Sequence, residues 1–204
     1  MNNKKVACVG SGVIGASWAI CFALKDLDVV VYDINDEVLS KAKTIIHDNL
    51  NILKENNVLD ETRLQEVENH IKLTTSMEEA VRGACFIQES APEHYDVKHQ
   101  VVKEIEKYCL DDAIIASSTS GLLISEIAKN AKHPERFVGG HPYNPPHLIP
   151  LVEITKGEKT EEKYVQQAKD FYTFVNKEPV FFKKKLLDLF VIDYKWLYIE
   201  KFVI

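Results

Sequence analysis

Apolar residues follow two alternating rhythms along the chain. Short β-prone runs at 6–9, 29–32, 71–74, 85–88 and 113–117 alternate with stretches whose apolar residues recur at helical spacing, at 14–24, 37–53, 63–67, 76–81 and 97–108. The longest of these stretches sets Leu39, Ala42, Ile46, Leu50 and Leu53 on one face. Asn56, Asn57 and Asp60 interrupt the pattern before 63–67, so that region reads as a helical hairpin inserted between strands. Ser76 followed by Glu79 is a helix-start signature. After Phe137 the rhythm changes to short strands at 137–140, 151–154 and 179–182, with one helix at 161–175. Repeated β-α alternation predicts an α/β fold, a parallel sheet covered by helices on both faces.

Composition narrows the function classes. The chain has 204 residues, with 25 Lys plus Arg against 31 Asp plus Glu, a net charge of -6 that argues against a nucleic-acid partner. Its 46% hydrophobic content, with 8 Gly and 7 Pro, excludes disordered, collagen-like and low-complexity classes. Cys8, Cys21, Cys85 and Cys109 lack the two-residue spacing of zinc ribbons and redox pairs, so reduced thiols and no metal are expected. Lys4 and Lys5 before an uncharged stretch, 6–24, imitate a secretory leader. The three glycines in that stretch weaken any membrane helix, and the expectation is a cytoplasmic protein with no membrane association.

Those glycines carry chemistry. Gly10, Gly12 and Gly15, in G-S-G-V-I-G, stand between the first β run and the first helical stretch, the spacing that lets helix N-terminal amides cradle a pyrophosphate. Val13 and Ile14 complete the candidate cofactor loop. Asp33 ends the second β run, 21 residues beyond Gly12. Its carboxylate suits both ribose hydroxyls and repels a 2′-phosphate, which points to NAD over NADP in a Rossmann-type doubly wound sheet. A glycine turn serving chain geometry alone, and an FAD site, are the competing readings.

A second stretch, 139–154, reads G-G-H-P-Y-N-P-P-H-L-I-P-L-V-E-I, with four prolines restraining a loop that holds His141, Asn144 and His147. A histidine can take a proton from an alcohol while hydride leaves its carbon, and a carboxylate such as Glu153 can orient the imidazole and stabilise its cation. Taken alone, the stretch also reads as a structural loop with surface histidines.

Together, G-S-G-V-I-G, Asp33, the E-S-A-P-E of 89–93, the S-S-T-S of 117–120 and H-P-Y-N-P-P followed by L-V-E resemble the 3-hydroxyacyl-CoA dehydrogenase family, including its carnitine dehydrogenase and lambda-crystallin (gulonate dehydrogenase) relatives. The resemblance runs from Lys4 to about Lys183 and implies an NAD-dependent oxidoreductase acting on a 3-hydroxyacyl-CoA or a small 3-hydroxy acid. A non-catalytic NAD-binding or crystallin-like structural protein is the alternative.

Carried onto this chain, the resemblance makes His141 the general base, Glu153 its orienting partner and Ser120 the donor to the substrate oxygen. Asn144 would lie near the nicotinamide end, and Glu93 and Lys98 would contact NAD. His94 and His147 gain no role and read as surface residues. Where the acyl-CoA enzymes place a serine and a lysine to hold CoA, this chain has Asn49 and Asn56, with Lys54 nearby.

The family pattern stops after Phe182, where an asparagine-bearing P-G-F-x-x-N-R motif and a helical, dimerising C-terminal domain are expected to follow. The organisation read from the sequence is therefore an NAD-binding domain at 1–182 and a non-family tail at 183–204. One admissible codon set for 185–204, read from its third base, encodes G-F-x-x-N-R in a family-like helix, so the tail is read as the frameshifted remnant of a truncated dehydrogenase whose activity is expected to be impaired.

Overall fold

A computed structural model describes residues 5–181; the tail at 183–204 lies outside the described residues. The chain forms β1 (Lys5–Val9), α1 (Val13–Ala23), β2 (Asp28–Tyr32), α2 (Asp36–Glu55), α3 (Glu61–Asn69), β3 (Ile71–Thr74), α4 (Met77–Val81) and β4 (Phe86–Glu89). There follow α5 (Tyr95–Ile105), β5 (Ile114–Ser117), α6 (Ile124–Ile127), β6 (Phe137–Pro142), β7 (Leu151–Lys156), α7 (Glu162–Phe174) and β8 (Glu178–Phe181).

All the strands of the described residues share one sheet in the order β3-β2-β1-β4-β5-β6-β7-β8. From β3 to β6 the neighbours are parallel, as the alternation predicts. Past Phe137, where the alternation gives way to short strands, the direction changes: β7 runs antiparallel to β6 and β8 runs parallel to β7. The reason is the connection. The short proline-rich link from β6 to β7 can only return the chain beside itself, whereas a parallel neighbour needs a crossover such as α7.

Helices cover both faces. One face packs α1, α2, α3 and α7 on the sheet, with Ile46, Leu50, Leu64 and Phe171 in its core. The other packs α4, α5 and α6, with Val81, Ile105 and Ile127. The five residues read as the inner face of 37–53 are the five that α2 buries. The uncharged stretch that imitated a leader contains α1, whose residues from Gly15 to Ala23 are all buried. A helix covered on every side has no polar face to show. Its Trp18 and Phe22 join Phe86, Phe171 and Tyr172 in an aromatic cluster, with Phe86 stacked on Phe171 at 3.9 Å. Among the described residues, no helix is long and apolar enough to cross a membrane.

Helix starts obey local chemistry. Asn35 and Asp60 accept from the amides of Val38 and Arg63 to cap α2 and α3. Ser76 caps α4 through the Glu79 amide at 3.2 Å, but the Glu79 carboxylate turns to the Thr74 hydroxyl rather than back to Ser76. The capping box is half made.

Candidate active site

The chain reverses direction between β1 and β4, running outward to β3 on one side and to β5 on the other. Ligands of doubly wound sheets bind beyond the carboxyl ends of the strands at such a switch point. The loops after β1 and β4 meet there. Gly10 adopts φ +95°, and a Cβ on it would lie 2.7 Å from the Ser90 backbone. A Cβ on Gly15 would lie 1.8 Å from the Gly10 carbonyl oxygen. Gly12 differs, because nothing lies within 4 Å of where its Cβ would be. Two glycines therefore close the turn, and the third leaves an open floor.

Gly12 is the N-cap of α1 and offers no side-chain cap, and no acidic residue stands in the first turn. The positive end of the helix is left for an anion, which fits a pyrophosphate. Val13 is exposed beside this end and Ile14 is half-buried. Asp33 lies across the loop. Its Oδ2 accepts from both the amide and the hydroxyl of Ser11 at 2.7 Å, and its Oδ1 accepts from the Ile34 amide at 2.8 Å. The carboxylate is thus fixed in place, with Ser11 on one oxygen.

A second anchor lies between the loops after β4 and β5. Glu93 Oε1 accepts from the Thr119 hydroxyl at 2.5 Å and from the amides of Ser120 at 2.9 Å and Gly121 at 3.0 Å. Burial pushes the Glu93 carboxyl upward, but the Thr119 and Gly121 hydrogen bonds, the Lys98 charge and the Ser120 amide outweigh it and hold the group below its ordinary value. Lys98 is 1% exposed, and its ammonium donates to both oxygens of Glu89 at 2.8 and 3.0 Å and to the Ala91 carbonyl at 3.0 Å, with Glu93 Oε2 at 3.6 Å. Glu89, equally buried, also accepts from the Ser117 hydroxyl and the Ala91 amide. Lys98 therefore works inside the loop, as a post between Glu89, Ala91 and Glu93. The Ser120 side chain stays exposed at the rim.

The third part is the β6–β7 hairpin. Its register sets His141 directly opposite Glu153, and His141 Nδ1 lies 3.2 Å from Glu153 Oε2. Glu153 Oε1 accepts from the Tyr143 hydroxyl at 2.9 Å. Both members of the pair are partly exposed, at 30% and 25%. Because β5 pairs with β6 through Ser117 and Gly139, Ser120 and His141 leave the sheet at the same edge. Asn144 follows on the exposed part of the loop.

Comparison with known proteins decides what this arrangement belongs to. The family described as 3-hydroxyacyl-CoA dehydrogenase, NAD binding domain, matches residues 5–185. The chain belongs to that family. This NAD-binding domain is 36% identical to an L-carnitine dehydrogenase of Nocardiopsis dassonvillei, over 90% of this chain and 54% of the relative. It is 38% identical to another from Pseudomonas putida, over 90% of this chain and 56% of the relative. Among solved structures, a 3-hydroxybutyryl-CoA dehydrogenase from Escherichia coli K12 superposes with a TM-score of 0.84 at 29% identity, covering 89% of this chain and 38% of that one. The (S)-3-hydroxybutyryl-CoA dehydrogenase of Ralstonia eutropha gives 0.86 at 28% identity, over 90% and 64%. The chain spans about half the length of the curated relatives it matches.

The NAD-binding domain is supported by residues that sequence reasoning missed. Tyr172 of α7 donates to Gln88 Oε1 at 2.7 Å, and Gln88 in turn donates to the Ser118 hydroxyl at 2.9 Å and reaches the Gly140 carbonyl at 3.4 Å. A Cβ on Gly140 would collide with the Tyr172 hydroxyl, so the glycine beside His141 is what admits the phenol. Lys177, buried, donates to the carbonyls of Pro146 and Ile149 and so ties down the proline loop. The one sequence signal for this network was a glutamine inside an apolar strand run. His147 needs a correction from surface residue to loop anchor. It is half-buried, its Nδ1 lies 3.2 Å from the Ser17 hydroxyl, and burial with the nearby Lys177 charge pushes its imidazole down. His94 is exposed, as read.

Proposed function

We propose that this chain supplies the cofactor-binding and proton-transfer part of an NAD-dependent dehydrogenase that oxidises the 3-hydroxyl of a small free 3-hydroxy acid of the carnitine kind. The observation that carries the reading is the His141–Glu153 pair, set at the same sheet edge as the glycine loop. Bound NAD supplies the hydride acceptor. With Glu153 at Nδ1, the Nδ1 proton is held toward the carboxylate and Nε2 carries the free lone pair. His141 Nε2 takes the alcohol proton as the C3 hydride departs, leaving a carbonyl on the substrate. Glu153 stabilises the resulting imidazolium. The Ser120 hydroxyl holds the reacting oxygen, on a loop fixed by Glu93. Asp33 and the α1 N-terminus orient the adenosine and pyrophosphate.

Two features favour a free acid over a CoA ester. The Asn56 side chain donates to the Ile52 carbonyl at 2.8 Å, and the Lys54 ammonium is paired with Glu61 at 3.0 Å. Two of the three groups named at the family's CoA-holding region, Asn56 and Lys54, are thus engaged within the hairpin. The L-carnitine dehydrogenase relatives point the same way.

The test is to titrate the purified chain with NAD and NADP, then follow NADH formation with L-carnitine and with 3-hydroxybutyryl-CoA, using His141→Gln as the control. Tighter binding of NAD, and NADH from the free acid that depends on His141, are expected. Equal affinity for the two nucleotides, or full activity in the control, overturns the reading. Binding of NAD with no turnover of either substrate, in a version of the chain joined to the C-terminal half that the relatives carry, favours a non-catalytic role.

A further inference from the structure

Tyr143 has no part in the reaction as written, yet its hydroxyl is aimed at the proton-transfer pair. It donates to Glu153 Oε1 at 2.9 Å while Oε2 faces His141 Nδ1 at 3.2 Å. We infer that Tyr143 is a positioning residue that sets the proton affinity of His141, by drawing negative charge away from the oxygen of Glu153 that faces the imidazole. The inference rests on His141 being the base of the proposed reaction.

The geometry separates charge from placement. His141 and Tyr143 are two residues apart, His141 on β6 and Tyr143 just past its end, so they fall on one side of the chain, with ring centroids 5.9 Å apart. The backbone register, not the phenol, puts His141 opposite Glu153. Removing the hydroxyl therefore leaves the pair in place and changes its charge. A carboxylate that accepts a hydrogen bond is less basic than one that does not. Without Tyr143, Glu153 holds more charge at Oε2 and stabilises the imidazolium more strongly. Burial and the bond to Glu153 push the Tyr143 phenol up to about 12, so it remains a donor across the working pH range.

Among the described residues, the neighbouring strands and α7 set these groups around the pair. β8 sets Val180 beside Glu153, and β5 sets Ser117 beside Gly139. α7 brings in Tyr172, whose hydroxyl is committed to Gln88.

The test is an NMR titration of the His141 imidazole in the full chain, assigned by loss of the signal in His141→Gln. In Tyr143→Phe the midpoint should rise by about 0.5 pH unit or more, since hydrogen bonding to the charged form is one of the main causes of such shifts. Replacing Tyr143 by 3-fluorotyrosine, a stronger donor of the same shape, should move it down. An unchanged or lowered midpoint in Tyr143→Phe, or an upward move with fluorotyrosine, overturns the inference. Glu153→Gln keeps the two readings distinguishable: it should lower the midpoint, and an unchanged value there means the pair itself is not coupled, so the proposed reaction fails rather than the role of Tyr143 alone.

Discussion

The glycine loop after β1 and the His141–Glu153 hairpin open onto the same edge of the sheet, but they are made of different materials. The loop works through backbone: amides at the end of α1, a carbonyl packed under Gly15, and the absence of a side chain at Gly12. The hairpin works through side chains that need outside support, from Tyr172 and Gln88 beneath Gly140 and from Lys177 behind the proline loop. Backbone sites fail when a methyl group is added. Side-chain sites fail when a distant hydrogen bond is lost.

The sharpest break between the two comes from the glycines themselves. Gly15→Ala forces a Cβ to within 1.8 Å of the Gly10 carbonyl, where only backbone could yield. A loss of about 3 kcal/mol or more of stability is expected, read by denaturant unfolding. Gly12→Ala meets nothing within 4 Å, so stability should hold while NAD affinity falls about tenfold or more. Equal stability losses in the two variants would show that Gly12 is a folding residue and not a floor for the pyrophosphate.

On the hairpin side, His141→Gln should lower turnover by about 10²-fold or more while NAD affinity stays within about twofold. A comparable fall in NAD affinity would mean that the two regions are not separable. Tyr172→Phe probes the support: Gln88 loses its donor in a buried setting, a cost of about 1–3 kcal/mol in unfolding free energy. No change in stability would show that the Gln88 network does not hold β6.

The same contrast explains what could be read in the sequence. Local patterns were legible. The glycine spacing, the α2 face and the Ser76 cap each depend on residues a few positions apart. His141 and Glu153 were also legible, through their chemistry and the family resemblance, and the β6–β7 hairpin turns their spacing of 12 residues into cross-strand register. What the sequence hid was reach. Tyr172 meets Gln88 across 84 residues, and His147 meets Ser17 across 130, and no periodicity records such meetings. The antiparallel turn of β7 was hidden for another reason: strand periodicity marks a strand without giving its direction.

Between the two regions stands Glu93, and pH can sharpen its part. Its carboxyl is held below its ordinary value in the folded chain, so it adds stability above the unfolded glutamate value of about 4.3 and loses it as pH falls through the lower folded value. Amide exchange at Ser120 and Gly121 should therefore quicken as pH falls through that range, once corrected for intrinsic rates. Glu93→Gln should flatten this dependence. An unaltered profile would remove Glu93 as the anchor of the Ser120 loop.

The smallest expected effect tests whether even the backbone region hides a side-chain contest. A carboxylate offers about four acceptor sites, and in Asp33 the Ser11 amide, the Ser11 hydroxyl and the Ile34 amide already occupy three bonds. A ribose diol brings two donors, so the Ser11 hydroxyl must rotate away when both hydroxyls bind Asp33. Ser11→Ala removes that competitor and keeps the amide that fixes the carboxylate. NAD should then bind about two- to fivefold more tightly, a difference of about one ordinary hydrogen bond or less. NADP should gain nothing, because its 2′-phosphate still meets the Asp33 charge, and the preference for NAD should widen by the same factor. Calorimetric titration of both nucleotides decides it. Weaker NAD binding in Ser11→Ala would mean that the hydroxyl organises Asp33 instead of contesting it.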